Sequence, residues 1–135
     1  MADQPEITLR GAKFDARAVA DISRVDGFDD QDAGHFRDGV ASGLYTLLAV
    51  EIDDIRRGSI VLSWEYDDAP VLFCNVLAVD HVHNAEIVPA LVDMIAEFAK
   101  VKGAGRLRFW TRRPGLVRIT EKLGFARNYV MERAV

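Results

Sequence analysis

The sequence lacks a cysteine pair, a long apolar run and a signal-like N-terminus. Its single cysteine, Cys74, has no partner for an internal disulfide, so a disulfide-stapled scaffold is excluded and a reducing compartment is expected. No stretch approaches the roughly 20 apolar residues that a membrane span requires. The opening MADQPEITLR is acidic and polar rather than a targeting segment. We therefore expect a cytoplasmic protein without membrane contact.

What is present indicates one compact domain over residues 1–135, since 135 residues of which 50% are hydrophobic can form a self-sufficient core. The net charge of −4 is unevenly distributed. Residues 1–100 carry 8 Lys/Arg and 19 Asp/Glu, whereas residues 101–135 carry 9 and 2. This asymmetry is compatible with two surfaces of opposite sign or with ordinary solvated salt bridges.

The hydrophobic periodicity predicts the element order β-α-α-β-β-β-α-β-α-β. Strands are predicted at EITLRGAKF, LYTLLAVEI, GSIVLSWEY, VLFCNVLAV, RLRFWT and ARNYVMERA. The polar segment DDIRRG is interpreted as the turn between the second and third strands, and VLFCNVLAV as a central strand buried on both faces. We expect an α/β fold with a mixed, mostly antiparallel central sheet and helices on both faces.

The element order and the segment LVRITEKLGFARNYVMER together resemble the GNAT superfamily, the Gcn5-related N-acetyltransferases. The resemblance covers essentially the whole chain and implies a single GNAT-like domain. It also implies acyl transfer from acyl-coenzyme A to an amine. The central strand and its neighbour would splay apart to admit the pantetheine arm. The loop after the central strand would bind the pyrophosphate through free N–H groups at a helix N-terminus.

The resemblance assigns cofactor binding to the end of the central strand and the loop after it. The positions are Leu77, Ala78, Val79, Asn84, Ala85, Glu86, Ile87 and Val88. Family members usually have glycines in this loop, which let the backbone approach the phosphates. This sequence has no glycine between Val79 and Lys102, and Pro89 offers no N–H. The implied cofactor is acetyl-CoA or another acyl-CoA, held by a weakened phosphate grip.

Two residues are candidates for catalysis. Many family members place a tyrosine, the general acid for the thiolate leaving group, five residues before the Phe of Leu-Gly-Phe; that place holds Thr120. A threonine hydroxyl is a poorer proton donor, and a general acid typically contributes on the order of 100- to 10,000-fold. Glu65, which borders the expected cleft with Asn75, is the candidate general base. Its alternative interpretation is a solvated strand residue.

Two other polar groups have structural as well as functional interpretations. His81 and His83 project to the same side of an extended segment, but no third ligand is evident, so polar loop residues are favoured and no metal site is predicted. Asp29, Asp30 and Asp32 precede a helix, where they suit capping, although they could also attract a cationic amine.

A basic group near the end of the chain is a candidate contact for an anionic partner. It consists of Arg106, Arg108, Arg112, Arg113 and Arg118. These residues could receive coenzyme A phosphates or an acidic patch on a protein partner. Nucleic acid is the least favoured partner because the chain is acidic in total.

Two classes of function stay open. The first is a divergent acyl-CoA-dependent N-acyltransferase acting on a small-molecule or protein amine. The second is a non-catalytic binding or structural module, such as a virus-encoded assembly or virion protein, with oligomerisation open in either case. An enzyme requires an open V-shaped cleft between the strands near Asn75 and Phe109, whereas a structural descendant could fill that cleft.

Overall fold

The computed structural model describes residues 5–25, 28–80, 87–109, 114–127 and 133–134. Nine helices and strands lie in these ranges: β1 Ile7–Gly11, α1 Ala16–Ser23, α2 Asp30–Ala41, β2 Tyr45–Ile52, β3 Ile55–Tyr66, β4 Pro70–Val79, α3 Ile87–Val101, β5 Arg106–Phe109 and α4 Pro114–Lys122. The predicted last strand, ARNYVMERA, lies largely outside the described residues, as does the predicted cap Asn84.

The strands form one sheet in the order β1-β2-β3-β4-β5. The first three pairings are antiparallel and the last, β4 with β5, is parallel. Helix α3 connects β4 to β5. Two parallel strands start at the same end of the sheet, so the chain must cross back over the sheet between them. The expected mixed and mostly antiparallel sheet is confirmed.

The sheet is covered on both faces by helices, which gives the domain two apolar cores. Residues of α3 and α4, among them Leu91 and Ile95, form the core on one face. Residues of α1 and α2, among them Ala18 and Ile22, form the core on the other. Strand β4 contributes to both cores, so the interpretation of VLFCNVLAV as a strand buried on both faces is confirmed.

The turn between β2 and β3 is shorter than predicted. It consists of Asp53 and Asp54, which both have positive φ (51° and 65°), and β3 begins at Ile55 rather than after DDIRRG. Aspartate tolerates the left-handed region, and two such residues favour a tight hairpin. The N–H of Glu6 also donates to Asp53 Oδ1 at 2.9 Å, which ties the turn to the residue before β1.

The first two helices begin at aspartate caps. Asp15 accepts a hydrogen bond from the N–H of Ala18 at 2.9 Å, and Asp29 forms a reciprocal capping box with Asp32. The capping interpretation of Asp29 and Asp32 is confirmed. The longest described helix, α3, has 15 residues, and none of the helices in the described ranges combines the length and apolar character needed to cross a bilayer.

Glycine at position 58 lets β3 lie close to the end of β4. A Cβ on Gly58 would lie 2.1 Å from the carbonyl oxygen of Ala78 and 2.8 Å from Cα of Val79. The N–H of Asp80 donates to the carbonyl oxygen of Arg57 at 2.7 Å, one residue beyond β4. The last residues of β4 are therefore held firmly against β3.

We expect Gly58→Ala to destabilise the fold by about 3 kcal/mol, because the added methyl group collides with backbone atoms that cannot rotate away. Gly11→Ala is the matched control, since a Cβ there meets nothing within 4 Å; its effect should stay within about 1 kcal/mol. Urea denaturation of both variants measures the difference. Equal stability of the two would contradict the close approach at Gly58.

Candidate functional site

A β-bulge interrupts β4 at Asn75. Val61 of β3 pairs with Val76, but the next residue, Leu62, pairs with Cys74, so Asn75 is left out of the register between the two strands. A bulge leaves one residue out of the ladder and bends the strand. It also reverses the alternation of side chains: Cys74 and Leu77, three positions apart, enter the same core.

The side chain of Asn75 fastens the bulge. Its Nδ2 donates to Ser63 Oγ at 2.9 Å and to the carbonyl oxygen of Phe73 at 3.3 Å. The first bond crosses to β3 and the second returns to β4 on the other side of Cys74. These two contacts fix the orientation of the backbone at the bulge.

The described pairing between β4 and β5 lies next to the bulge. It runs from Val71 opposite Arg106 to Cys74 opposite Phe109. The residues that follow Phe109, from 110 to 113, lie outside the described residues. Asn75 and Phe109, which border the expected cleft, lie close to each other, because Phe109 pairs with Cys74.

The side chains at the described cofactor-binding positions point mainly into the protein, so only their backbone could contact a ligand. Leu77 and Ala78 are buried, and the side chain of Ile87 lies in the core between the sheet and α3. Val88 packs against the same core. Pro89, in the first described turn of α3, has no backbone N–H to donate. The other predicted positions in this loop, Asn84, Ala85 and Glu86, lie outside the described residues.

Glu65 is held in an ion-paired group with Arg108 and Asp67. Arg108 donates to Glu65 Oε2 and to Asp67 Oδ2, both at 2.9 Å. The hydrogen bond with Asp67 is the main cause that raises the pKa of Arg108, with Glu65 adding to it and burial opposing it. Glu65 follows Ser63 on the same face of β3, about 7 Å along the strand. It thus lies near the bulge but is engaged with a guanidinium.

The predicted basic group is partly neutralised by these contacts. Arg108 is committed to two carboxylates, whereas Arg106 and Arg118 are exposed. Arg112 and Arg113 lie outside the described residues. The partner role of this group stays a prediction.

Thr120 lies on the buried side of α4. Thr120 is only 8% exposed, and its one hydroxyl hydrogen is shared between the carbonyl oxygens of Leu116 and Val117, which lie 2.9 and 3.0 Å from Oγ1. A threonine within a helix commonly satisfies its hydroxyl in this way. To act as a general acid, Thr120 would have to give up these bonds, and its catalytic assignment stays a prediction.

A buried carboxylate connects α1 to the sheet. Asp21 is fully buried and accepts hydrogen bonds from Arg17 Nε at 2.9 Å, Arg24 at 2.5 Å and Ser59 Oγ at 2.6 Å. A buried charge is costly unless it is paired and hydrogen-bonded. Asp21 meets both conditions, so it fixes α1 against β3.

The same two arginines reach the residue that follows β4. Arg17 and Arg24 contact one oxygen of Asp80 at 2.8 and 2.9 Å. The hydrogen bond from Arg17 is the main cause that lowers the pKa of the Asp80 carboxyl, burial acts against it, and Arg24 reinforces it. We call Arg17, Asp21, Arg24 and Asp80 the α1 clamp.

Sequence reasoning missed the α1 clamp, although part of its signal is present. Ala18, Asp21 and Ile22 share one buried side of α1, so a carboxylate on the apolar stripe indicates a buried partner. Nothing in the sequence identifies which arginines supply it. His81 and His83 lie outside the described residues, and within the described part no three His, Cys, Asp or Glu side chains form a group suited to a metal.

Comparison of the whole chain with solved structures finds many with the same architecture. A possible acetyltransferase from Clostridium difficile 630 superposes with a TM-score of 0.71 at 14% identity, over 96% of this chain and 97% of that one. The aminoglycoside N-acetyltransferase AAC(6')-Iy, in complex with CoA, gives 0.69 at 14% over 99% and 98%. The chain has the GNAT fold.

A protein that is not described as an acetyltransferase superposes on this chain equally well. A transcriptional regulator from Bacillus halodurans C-125 gives a TM-score of 0.74 at 15% identity, over 96% of this chain and 99% of that one. No protein-family model and no curated protein matches the sequence. At such low identities the likeness establishes the GNAT fold and leaves the activity to be argued from the site.

We expect Asp21→Ala to destabilise the GNAT fold by about 3 kcal/mol, because two arginines and Ser59 lose their buried acceptor. Asp38→Ala is the matched control: Asp38 also pairs with an arginine, Arg37, but its side chain is 77% exposed, so the loss should be within about 0.5 kcal/mol. Chemical denaturation measures both. A small effect of Asp21→Ala would show that the α1 clamp is not a structural tie.

The lowered pKa of Asp80 predicts acid sensitivity. A carboxyl whose folded-state pKa is depressed contributes stability above its ordinary pKa of about 3.9, and that contribution is lost as the pH falls through the folded value. The wild type should therefore be more stable than Asp80→Asn at pH 7, with the gap closing below about pH 4. Urea denaturation of both proteins from pH 7 to pH 3 checks this. A gap that stays constant down to pH 3 would contradict the linkage.

Proposed function

We propose that the protein is a divergent acyl-CoA-dependent N-acyltransferase that transfers an acetyl or related acyl group to an amine. One observation carries the proposal: a β-bulge at Asn75 interrupts the central strand β4, directly beside the residue that pairs with Phe109 of β5. Bulges bend their strand and are frequent next to active sites, which suits a strand that must part from its neighbour to admit a cofactor. The single-domain GNAT fold supports the proposal as a prior.

The residues along β4 fit a coenzyme A arm. The pantetheine part carries two amide groups, which match backbone N–H and C=O groups between Asn75 and Val79. The N-terminus of α3 follows at the phosphate end and favours an anion through its dipole, although Pro89 removes one donor. Bound acyl-CoA would supply a thioester, whose acyl group is activated toward an amine.

Two side chains are proposed to serve the chemistry. Glu65 would accept the proton of the attacking amine, through water, while Arg108 fixes the position of its carboxylate. Thr120 occupies the place of the general acid, but its hydroxyl is bonded to its own helix. A thiolate can leave without protonation because its pKa is low, so the reaction would be slowed rather than abolished.

The acceptor is proposed to be an amine on a small molecule or a protein. AAC(6')-Iy is described as an aminoglycoside N-acetyltransferase, which supports a cationic amine as the starting class. Glu65 and Asp67 place carboxylates near the bulge, and carboxylates attract cationic amines.

A non-catalytic binding or structural module is the second candidate. The hydrogen bonds of Thr120 favour it, since they satisfy the one hydroxyl at the general-acid position. Pro89 at the start of α3 favours it too. Such a module would bind a protein partner, or assemble into an oligomer or virion, and would not require coenzyme A.

Binding of acetyl-CoA and of free coenzyme A tests the proposal. We expect both to raise the thermal midpoint and to release heat on calorimetric titration. Ligand at about 100 times its dissociation constant should stabilise the fold by roughly 2.7 kcal/mol. ATP is the control for general attraction of a nucleotide phosphate.

Three outcomes separate the candidates. Binding of coenzyme A but not ATP supports the acyltransferase and justifies a screen of amine acceptors. No shift and no heat at millimolar coenzyme A overturns it and favours the non-catalytic module. Equal response to ATP and coenzyme A shows attraction of anions alone and also counts against the enzyme.

A further inference from the structure

Two arginines lie beside the end of β4: Arg17 of α1 and Arg24, the residue that caps the C-terminal end of α1. Arg17 and Arg24 both reach the carboxylate of Asp80, the last described residue before position 87. Their side chains are 34% and 49% exposed, and that of Asp80 is 26% exposed. The α1 clamp thus has a solvent-facing side at this end of the sheet.

The clamp leaves hydrogen-bonding capacity on that side. A guanidinium has five N–H donors. Among the described residues, Arg24 directs one terminal nitrogen to Asp21 and the other to Asp80, so its Nε–H and the second hydrogens of those nitrogens stay available. Asp21 holds Arg24 in place from beneath, which reduces the conformational entropy lost on binding a ligand.

The distance along β4 from the bulge to Asp80 is similar to the length of the pantetheine arm of coenzyme A. Five residue steps separate Asn75 from Asp80, which is about 16 Å of extended chain. The pantetheine arm has about 13 bonds between its sulfur and its first phosphorus, equivalent to about 14 Å at three bonds per extended residue. A thiol at the bulge therefore places phosphate groups beside Asp80.

We infer that Arg24, supported by Arg17, binds a phosphate group of coenzyme A. Charge-assisted bonds from arginine to phosphate are strong and geometrically specific. They would offset the donor that Pro89 removes and the absence of glycines in the preceding loop, because the grip would come from α1 instead. This inference rests on the proposed function and assigns its phosphate contact.

Arg24→Gln tests the inference, with Arg37→Gln as the matched control. Both variants remove one positive charge from an exposed arginine that pairs with an aspartate. Arg37, however, lies on α2 and pairs only with its neighbour Asp38 among the described residues. We expect Arg24→Gln to weaken coenzyme A binding about tenfold, the worth of one charge-assisted hydrogen bond. Binding of pantetheine, which lacks phosphate, should be unchanged, and Arg37→Gln should alter neither.

The ratio of the two affinities separates a lost contact from a damaged fold. A fold defect would weaken coenzyme A and pantetheine together, and that result would overturn the inference. If Arg24→Gln does not fold, Arg24→Lys replaces it, since lysine keeps the charge but loses the planar fork; a selective loss for coenzyme A is again expected.

A further ligand identifies the phosphate. If the loss persists with dephospho-coenzyme A, Arg24 contacts the pyrophosphate; if it disappears, Arg24 contacts the 3′-phosphate, and either result supports the inference. Coenzyme A binding that is equal in wild type and Arg24→Gln overturns the inference alone. A wild type that binds neither coenzyme A nor pantetheine overturns the proposed function as well.

Discussion

The buried carboxylate of Asp21 is the constraint on which the arrangement around β4 depends. An unpaired charge at that position would be prohibitively costly, so its three hydrogen bonds must persist whenever the domain is folded. Two of them come from arginines that also hold Asp80. One buried carboxylate therefore connects α1 to β3 and, through the arginines, to the residue that follows β4. The polar network and the apolar core act together here, since Ala18 and Ile22 of α1 pack on the same face of the sheet.

A bulge interrupts strand β4 in its middle. The first half of β4 has described partners on both β3 and β5, and the second half pairs with β3. At the bulge, Asn75 bonds to Ser63 of β3. Beyond the bulge, Gly58 allows the second half of β4 to lie close to β3. The irregular strand is therefore stable because β3 contacts it closely on both sides of the bulge.

Much of this architecture could be predicted from the sequence, because apolar periodicity and cap residues act locally. Examples are the stripe of α3 at Leu91 and Ile95 and the capping box of Asp29. The turn at Asp53 was predicted too long, since polar residues in a hairpin strand resemble loop residues. The bulge could not be predicted, because the residues on both sides of Asn75 are apolar and a reversal of alternation among them leaves no trace in the sequence. The α1 clamp could not be predicted either. Its arginines bridge Asp21 and Asp80, which are 59 positions apart in the sequence, so their contact depends on the tertiary fold.

The extra residue in β4 has a consequence for how such a chain can change over time. Every side chain of β4 after Asn75 faces the core opposite to the one it would face in a regular strand. A point substitution cannot restore regularity, because the count of residues stays the same. Only an insertion or deletion could do so, and it would exchange the contents of two cores at once. The bulge thus depends on the number of residues in β4 rather than on the identity of their side chains. It can therefore persist while the surrounding residues are substituted.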